Sequence, residues 1–161
     1  EGEVAVRGAE RFVGYTDPAL NAASFLPGGW FLTGDIGKLD TEGFLAITDR
    51  KKDIIIRGGE NISSREVEEL LLQVPGVREA AAIGLPDPRL GERICAVVLT
   101  AEGASPTIES VDAVFRDLGV ARQKTPEALI VLDELPRTPS GKVQKAELRR
   151  ILAEQGRIPP R

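Results

Sequence analysis

Lys142 stands in the segment Leu135-Pro136-Arg137-Thr138-Pro139-Ser140-Gly141-Lys142-Val143-Gln144-Lys145, held on a Ser-Gly turn and followed at once by a helix-like basic stretch. It is the strongest catalytic candidate in the chain. Gly141 lets the backbone approach another group closely, and a turn ahead of a helix aims the ammonium outward. Without burial a single lysine is not activated as a base. It does neutralise negative charge building on a phosphate or carboxylate, the electrostatic role that contributes most to acyl and phosphoryl transfer. On base rates a loop lysine is an ordinary solvated charge; the Pro-Arg-Thr-Pro-Ser-Gly setting sets this one apart. The segment is not a Walker phosphate loop, because Val143 replaces the required Ser or Thr and the upstream glycine is missing.

A second group of candidates lies far upstream. Asp35, in Trp30-Phe31-Leu32-Thr33-Gly34-Asp35, follows a Thr-Gly turn, where an exposed carboxylate can accept two hydroxyl hydrogen bonds from a ribose. From that tripeptide alone a turn-capping aspartate is the plainer reading. Arg50 can reach the same sugar or a phosphate through its planar fork, or stand as a solvated surface charge. Lys51 and Lys52 read as solvated, with Lys52 where a chain joining two rigid bodies would pivot. Gly58 and Gly59 can admit a narrow ligand against bare backbone, or form a plain hairpin turn.

The rest of the sequence limits the chemistry. Histidine is absent, which removes Ser-His-Asp and Cys-His catalysis and most zinc sites, so Lys, Arg, Asp and Glu must carry any reaction, and no residue is assigned to a metal. The single cysteine, Cys95, lies in the apolar run Ile94-Cys95-Ala96-Val97-Val98-Leu99 and reads as a buried structural thiol. A net charge of −4 supplies no field for nucleic acid or an anionic membrane. No apolar run approaches the roughly 20 residues of a membrane span, and the first residues lack the pattern of a signal peptide. A cytoplasmic setting is the expectation. With 161 residues, 42% of them apolar, the chain has room for one domain, or one domain and a piece of another. It has no methionine and opens on a strand already in progress, which predicts a fragment of something longer.

The elements that must hold these residues are legible in outline. After the opening strand, Asp17 caps and Pro18 starts a short helix. The apolar runs 36–39 and 44–47 flank the turn cluster Asp40-Thr41-Glu42-Gly43 and predict an antiparallel hairpin. Residues 1–49 are thus mostly β and too few to close a substantial core. The charge run Asp49-Arg50-Lys51-Lys52-Asp53 reads as an exposed connector, with a domain boundary there. Beyond it, Ile54–Ile56 predicts a strand and Arg57–Asn61 a tight turn. Ser63 and Glu66 form a capping box for a helix with Val67, Leu70 and Leu71 on one face. Strands follow at 77–83 and 93–99, separated by a Pro86-Asp87-Pro88 loop. Helical spacing over 108–118 with Thr107 as cap, a strand at 128–132 and a last helix carrying Leu148, Ile151 and Leu152 complete a compact α+β unit. The tail, 156–161, is expected to fray.

Taken in order, Gly29-Trp30-Phe31-Leu32-Thr33-Gly34-Asp35, Asp49-Arg50-Lys51-Lys52-Asp53, Gly58-Gly59-Glu60-Asn61-Ile62, Glu66-Val67-Glu68 and Pro136-Arg137-Thr138-Pro139-Ser140-Gly141-Lys142 resemble the C-terminal part of the adenylate-forming (AMP-binding) superfamily. The likeness is greatest to its acyl- and aryl-CoA synthetases, fatty-acid–CoA ligases among them. The resemblance implies an α+β fold in which a small C-terminal lid domain, a central sheet flanked by helices, spans 53–161. A hinge at 50–52 and a β-rich end of the large AMP-binding domain at 1–49 would precede it. It implies that a carboxylate is joined to ATP with release of pyrophosphate, and that the acyl group of the resulting adenylate then passes to CoA. Asp35 matches the ribose-binding aspartate, Arg50 the arginine that assists it, Lys52 the hinge position and Lys142 the lysine at the carboxylate and phosphate. Gly58 and Gly59 match the hairpin that lines the pantetheine channel.

The same resemblance places the phosphate loop, the Mg²⁺-linked glutamate and the acyl pocket upstream of residue 1. The missing N-terminal domain is therefore an implied partner, and the fragment alone is expected to turn over no ATP. Transfer to a carrier-protein thiol instead of CoA, and a non-catalytic interaction domain that keeps the lid fold, are the two rival readings.

Overall fold

The computed structural model of the chain describes residues 1–158. It divides into two compact units, Glu1–Lys52 and Asp53–Arg161.

The first unit contains β1 (Gly2–Val6), α1 (Pro18–Ser24), β2 (Phe25–Leu26), β3 (Trp30–Leu39) and β4 (Leu45–Arg50). β3 is the centre of an antiparallel sheet and pairs with β1, β2 and β4. Asp17 caps α1 by accepting from Ala19 N at 2.9 Å, and Pro18 takes a first-turn position where its missing N–H costs nothing. The Asp40–Phe44 turn is closed by Asp40 Oδ1, which accepts from Glu42 N and Phe44 N at 2.9 Å each. Among the described residues, no fully buried apolar side chain precedes Ile55. The unit is held by its ladder and by a half-exposed group of rings, Phe12 standing edge-on to Phe31 at 4.8 Å.

The second unit contains β5 (Ile55–Arg57), β6 (Glu60–Ile62), α2 (Ser64–Leu71), β7 (Val77–Asp87), β8 (Gly91–Thr100), α3 (Ile108–Asp117), β9 (Ala128–Val131) and α4 (Lys145–Glu154). The sheet order is β6-β5-β8-β7, antiparallel, with β9 added to β8 in parallel. Side chains alternate between the faces of β7 and β8, which divides the core in two. Ala82, Ile94 and Ala96 pack with Val67, Leu71, Val111 and Phe115 of α2 and α3. Ala81, Ile83, Cys95 and Val97 pack with Leu148 and Leu152 of α4 on the other side. The unit is an α+β fold, a central sheet flanked by helices.

Several local expectations are corrected. Thr33-Gly34-Asp35 is not a turn but a bulge inside the continuous β3: Glu3 faces Ile36 while Ala5 faces Leu32, and Gly34 takes φ +74°. Asp49 is not in an exposed connector; it is buried at 7% exposure in β4 opposite Ile36. β7 runs through Pro86 to Asp87, so the connection is only 88–90; β7 is an edge strand, where proline's lack of a donor is tolerated. Ser63 accepts from Glu66 N at 3.1 Å, but the Glu66 carboxylate holds Lys124 Nζ at 2.6 and 2.8 Å in place of closing a box. Residues 156–158 do not fray. Gly156, at φ +61°, donates to Ala153 O and Arg157 N to Leu152 O, a Schellman ending with Ile158 packed on the core. The remainder of that expected tail, 159–161, lies outside the described residues.

Candidate functional site

Asp35 and Arg50 are cross-strand partners on β3 and β4, and Arg50 Nε donates to Asp35 Oδ1 at 2.9 Å. The bulge is what presents the carboxylate. Thr33 Oγ1 donates to Val4 O at 3.0 Å and accepts from Asp35 N at 3.1 Å, fixing the backbone on each side of Gly34. Asp35 does not cap a turn, and its Oδ2 accepts no hydrogen bond from the described residues. A partly exposed carboxylate oriented by a guanidinium through one oxygen can take the hydroxyls of a vicinal diol.

Lys51–Asp53 forms a single 3-10 turn at the junction of the two units. Lys51 Nζ is tied to Glu3 Oε2 at 2.7 Å, whereas Lys52 is exposed and forms no ion pair among the described residues. Gly58 and Gly59 are the two central residues of the β5–β6 hairpin, at φ +60° and +85°. A two-residue hairpin loop with positive φ at both positions is sufficient reason for both glycines. The hairpin is nevertheless braced: Gly58 N donates to Leu90 O at 2.7 Å, and Arg57 Nε and Nη2 reach Glu127 Oε1 at 2.9 and 2.6 Å. Around Gly59 there is open space.

Residues 136–144 form a closed loop that carries Lys142. Thr138 N donates to Lys142 O at 2.8 Å, Lys142 N to Thr138 Oγ1 at 3.1 Å and Gln144 N to Pro136 O at 2.8 Å. The Lys142 side chain is exposed, and its ammonium has no hydrogen bond or ion pair among the described residues. It is therefore a rigidly mounted, uncommitted positive charge.

Two neighbouring cations that the sequence reading did not single out are committed. Arg137 Nη1 donates to Gly141 O at 2.7 Å, and Nη2 pairs with the Glu79 carboxylate on β7. Lys145 Nζ, only 12% exposed, reaches Ser64 Oγ and Glu68 Oε1 at 2.6 Å each, while Glu68 Oε1 also accepts from Ala82 N at 2.9 Å. One signal for Lys145 was available. A cation in the first turn of α4 opposes the helix dipole and calls for a carboxylate partner.

The lysine loop and the glycine hairpin occupy opposite ends of the second unit. The loop is bound at Glu79, near the start of β7; the hairpin abuts Leu90 and Gly91, beyond the end of that strand. Between Glu79 and Asp87 the strand advances roughly 27 Å at about 3.4 Å per residue. One orientation of this unit cannot bring both features to the same point.

Cys95 is fully buried, and burial pushes its thiol up to about 12. It takes no part in the site. The described residues contain no group of three or more His, Cys, Asp or Glu side chains arranged to hold a metal ion. The Mg²⁺ ligands that the resemblance places upstream of residue 1 have no counterpart among these residues. No helix among the described residues is long and apolar enough to cross a membrane.

Residues 66–142 match the family model described as the AMP-binding enzyme C-terminal domain. The chain is 51% identical over 152 residues to the medium-chain fatty-acid–CoA ligase of Escherichia coli, an alignment covering 93% of this chain and 27% of that protein. It superposes on ATP-bound MatB of Rhodopseudomonas palustris with a TM-score of 0.85 at 37% identity, over 94% of this chain and 30% of MatB. For the o-succinylbenzoate CoA synthetase of Bacillus subtilis in complex with its acyl-adenylate intermediate the TM-score is 0.81 at 40% identity, over 92% and 30%. The chain spans less than a third of the length of each.

Proposed function

We propose, for a chain that belongs to the adenylate-forming (AMP-binding) superfamily and corresponds to the C-terminal portion of its CoA ligases, that the complete enzyme activates a carboxylic acid with ATP and transfers the acyl group to CoA. A carboxylate oxygen attacks the α-phosphorus and pyrophosphate leaves; the CoA thiol then attacks the acyl carbon and AMP leaves. Asp35, aligned by Arg50, holds the ribose hydroxyls. Lys142 offsets the negative charge that gathers between carboxylate and α-phosphate, a stabilisation that counts only if it is stronger in the transition state than before it. Lys52 is the pivot, and Gly58 and Gly59 offer bare backbone to the pantetheine arm. The larger domain, with the phosphate loop, the Mg²⁺ ligands and the acyl pocket, is the required partner. The complete enzyme works in the cytoplasm.

The observation that supports this reading best is the placement of Lys142 and the Gly58-Gly59 hairpin at opposite ends of one unit. Two half-reactions served by two ends require the unit to present first one and then the other. That is a gating motion of the kind that limits many turnovers.

The test uses the intact protein with Lys142→Ala. ATP–pyrophosphate exchange should fall on the order of 10²-fold or more, as for loss of a key charge-stabilising group. Thioester formation from supplied acyl-adenylate should persist. Unchanged exchange in the variant would reject the assignment, as would ATP–pyrophosphate exchange by residues 1–161 alone.

A further inference from the structure

We infer that Arg137 is a positioning residue for Lys142, acting with Glu79 to fix where the free ammonium stands; this rests on the role proposed for Lys142 above. The Gly141 carbonyl, which Arg137 Nη1 holds at 2.7 Å, belongs to the peptide group whose nitrogen is that of Lys142. The same guanidinium pairs through Nη2 with Glu79 on β7. One planar side chain thereby bridges the peptide that carries the lysine to an edge of the central sheet. The Arg137 carbonyl in turn accepts from Gln144 Nε2 at 2.8 Å, so the bridging residue is itself held by the far limb of the loop.

The ion pair is poorly placed to serve stability. Its side chains are 38% and 47% exposed, and exposed pairs contribute little. Nearby Lys145, by contrast, is largely buried, and its bonds to Ser64 and Glu68 secure the start of α4 against α2. Arg137 can donate to two acceptors at once because its donors form a fixed fork; a lysine ammonium at the same position lacks that geometry. A displacement of about 1 Å in a charge-stabilising group can cost on the order of 10²-fold in rate. Loosening the peptide before Lys142 is therefore expected to show in turnover rather than in folding.

The experiment compares Arg137→Met, Glu79→Gln, Lys142→Ala and the Arg137→Met/Lys142→Ala double variant in the intact protein. Each is assayed for ATP–pyrophosphate exchange, for thioester formation from supplied acyl-adenylate and for its melting curve. Arg137→Met should lower kcat for exchange by about 10-fold, with KM for ATP and thioester formation within about 2-fold of the parent and melting unchanged. Glu79→Gln should give a smaller loss of the same pattern. In the Lys142→Ala background the Arg137 substitution should cost less than about 2-fold, because a residue that acts through Lys142 has nothing left to position. The inference is overturned if Arg137→Met leaves exchange intact, if both half-reactions fall together, or if its full cost survives without Lys142. Absence of exchange in the parent enzyme would instead remove the functional reading beneath it.

Discussion

Arg50 and Asp35 meet at a cross-strand position next to the β3 bulge, Nε to Oδ1 at 2.9 Å, in a sheet without a fully buried apolar core of its own among the described residues. Their side chains are 51% and 34% exposed, so a double-mutant cycle in urea should return a coupling of no more than about 1 kcal/mol. The ribose-binding role proposed for Asp35 predicts a larger consequence in the intact protein. Asp35→Ala should raise KM for ATP at least about 10-fold, since hydrogen bonds to a charged group contribute roughly 1.5–3 kcal/mol. An ATP affinity unaffected by Asp35→Ala would dissociate this pair from the nucleotide.

Gly59 stands at φ +85° with open space where a Cβ would lie, so backbone strain alone sets the effect of a side chain there. Gly59→Ala should destabilise the chain by roughly 1–2 kcal/mol, the cost of an L-residue in the left-handed region. Gly59→Asn should cost less, because asparagine tolerates that region. Urea midpoints for the two variants decide it, and an alanine variant as stable as the parent would refute the turn assignment.

Lys145 joins α4 to α2 through the network of Glu68, Ser64 and Ala82 N, with little exposure on either charged side chain. Lys145→Met should lower stability by roughly 1.5–3 kcal/mol, the range for charge-assisted hydrogen bonds. Lys142→Ala, which removes an exposed charge without a partner, should stay within about 0.5 kcal/mol. Equal losses from the two lysines would contradict the division between a structural and an uncommitted cation.

Cys95 contributes a pH dependence on the alkaline side. Burial raises its thiol from 9.0 to about 12. The folded state therefore keeps the proton that the unfolded state gives up, and this contribution to stability is fully present below pH 9 and is lost as pH rises towards 12. Denaturation midpoints followed over that window should fall less steeply in Cys95→Ala than in the parent. At neutral pH the native thiol should resist alkylation and react only in denaturant; prompt labelling of the folded chain would show the burial to be wrong.

What could be read along the chain was whatever a few consecutive residues decide. Asp17-Pro18 and Thr107 start their helices by local hydrogen bonds, Gly58-Gly59 turn a hairpin because only glycine accepts positive φ so readily, and the continuous apolar run 94–99 marks β8 as a strand buried on both faces. The motifs around Asp35, Arg50 and Lys142 were legible in the same way, by residue type and order. Tertiary structure decided the pairings. Thr33-Gly34 became a bulge, not a turn, because β1 binds β3 on both sides of it, and Glu66 was taken from its cap by Lys124, distant in sequence. Arg137 found Glu79, and Lys145 found Glu68, only because the sheet and helices set them face to face. Such contacts depend on which strands become neighbours, a property of the whole packed unit that no short window of sequence contains.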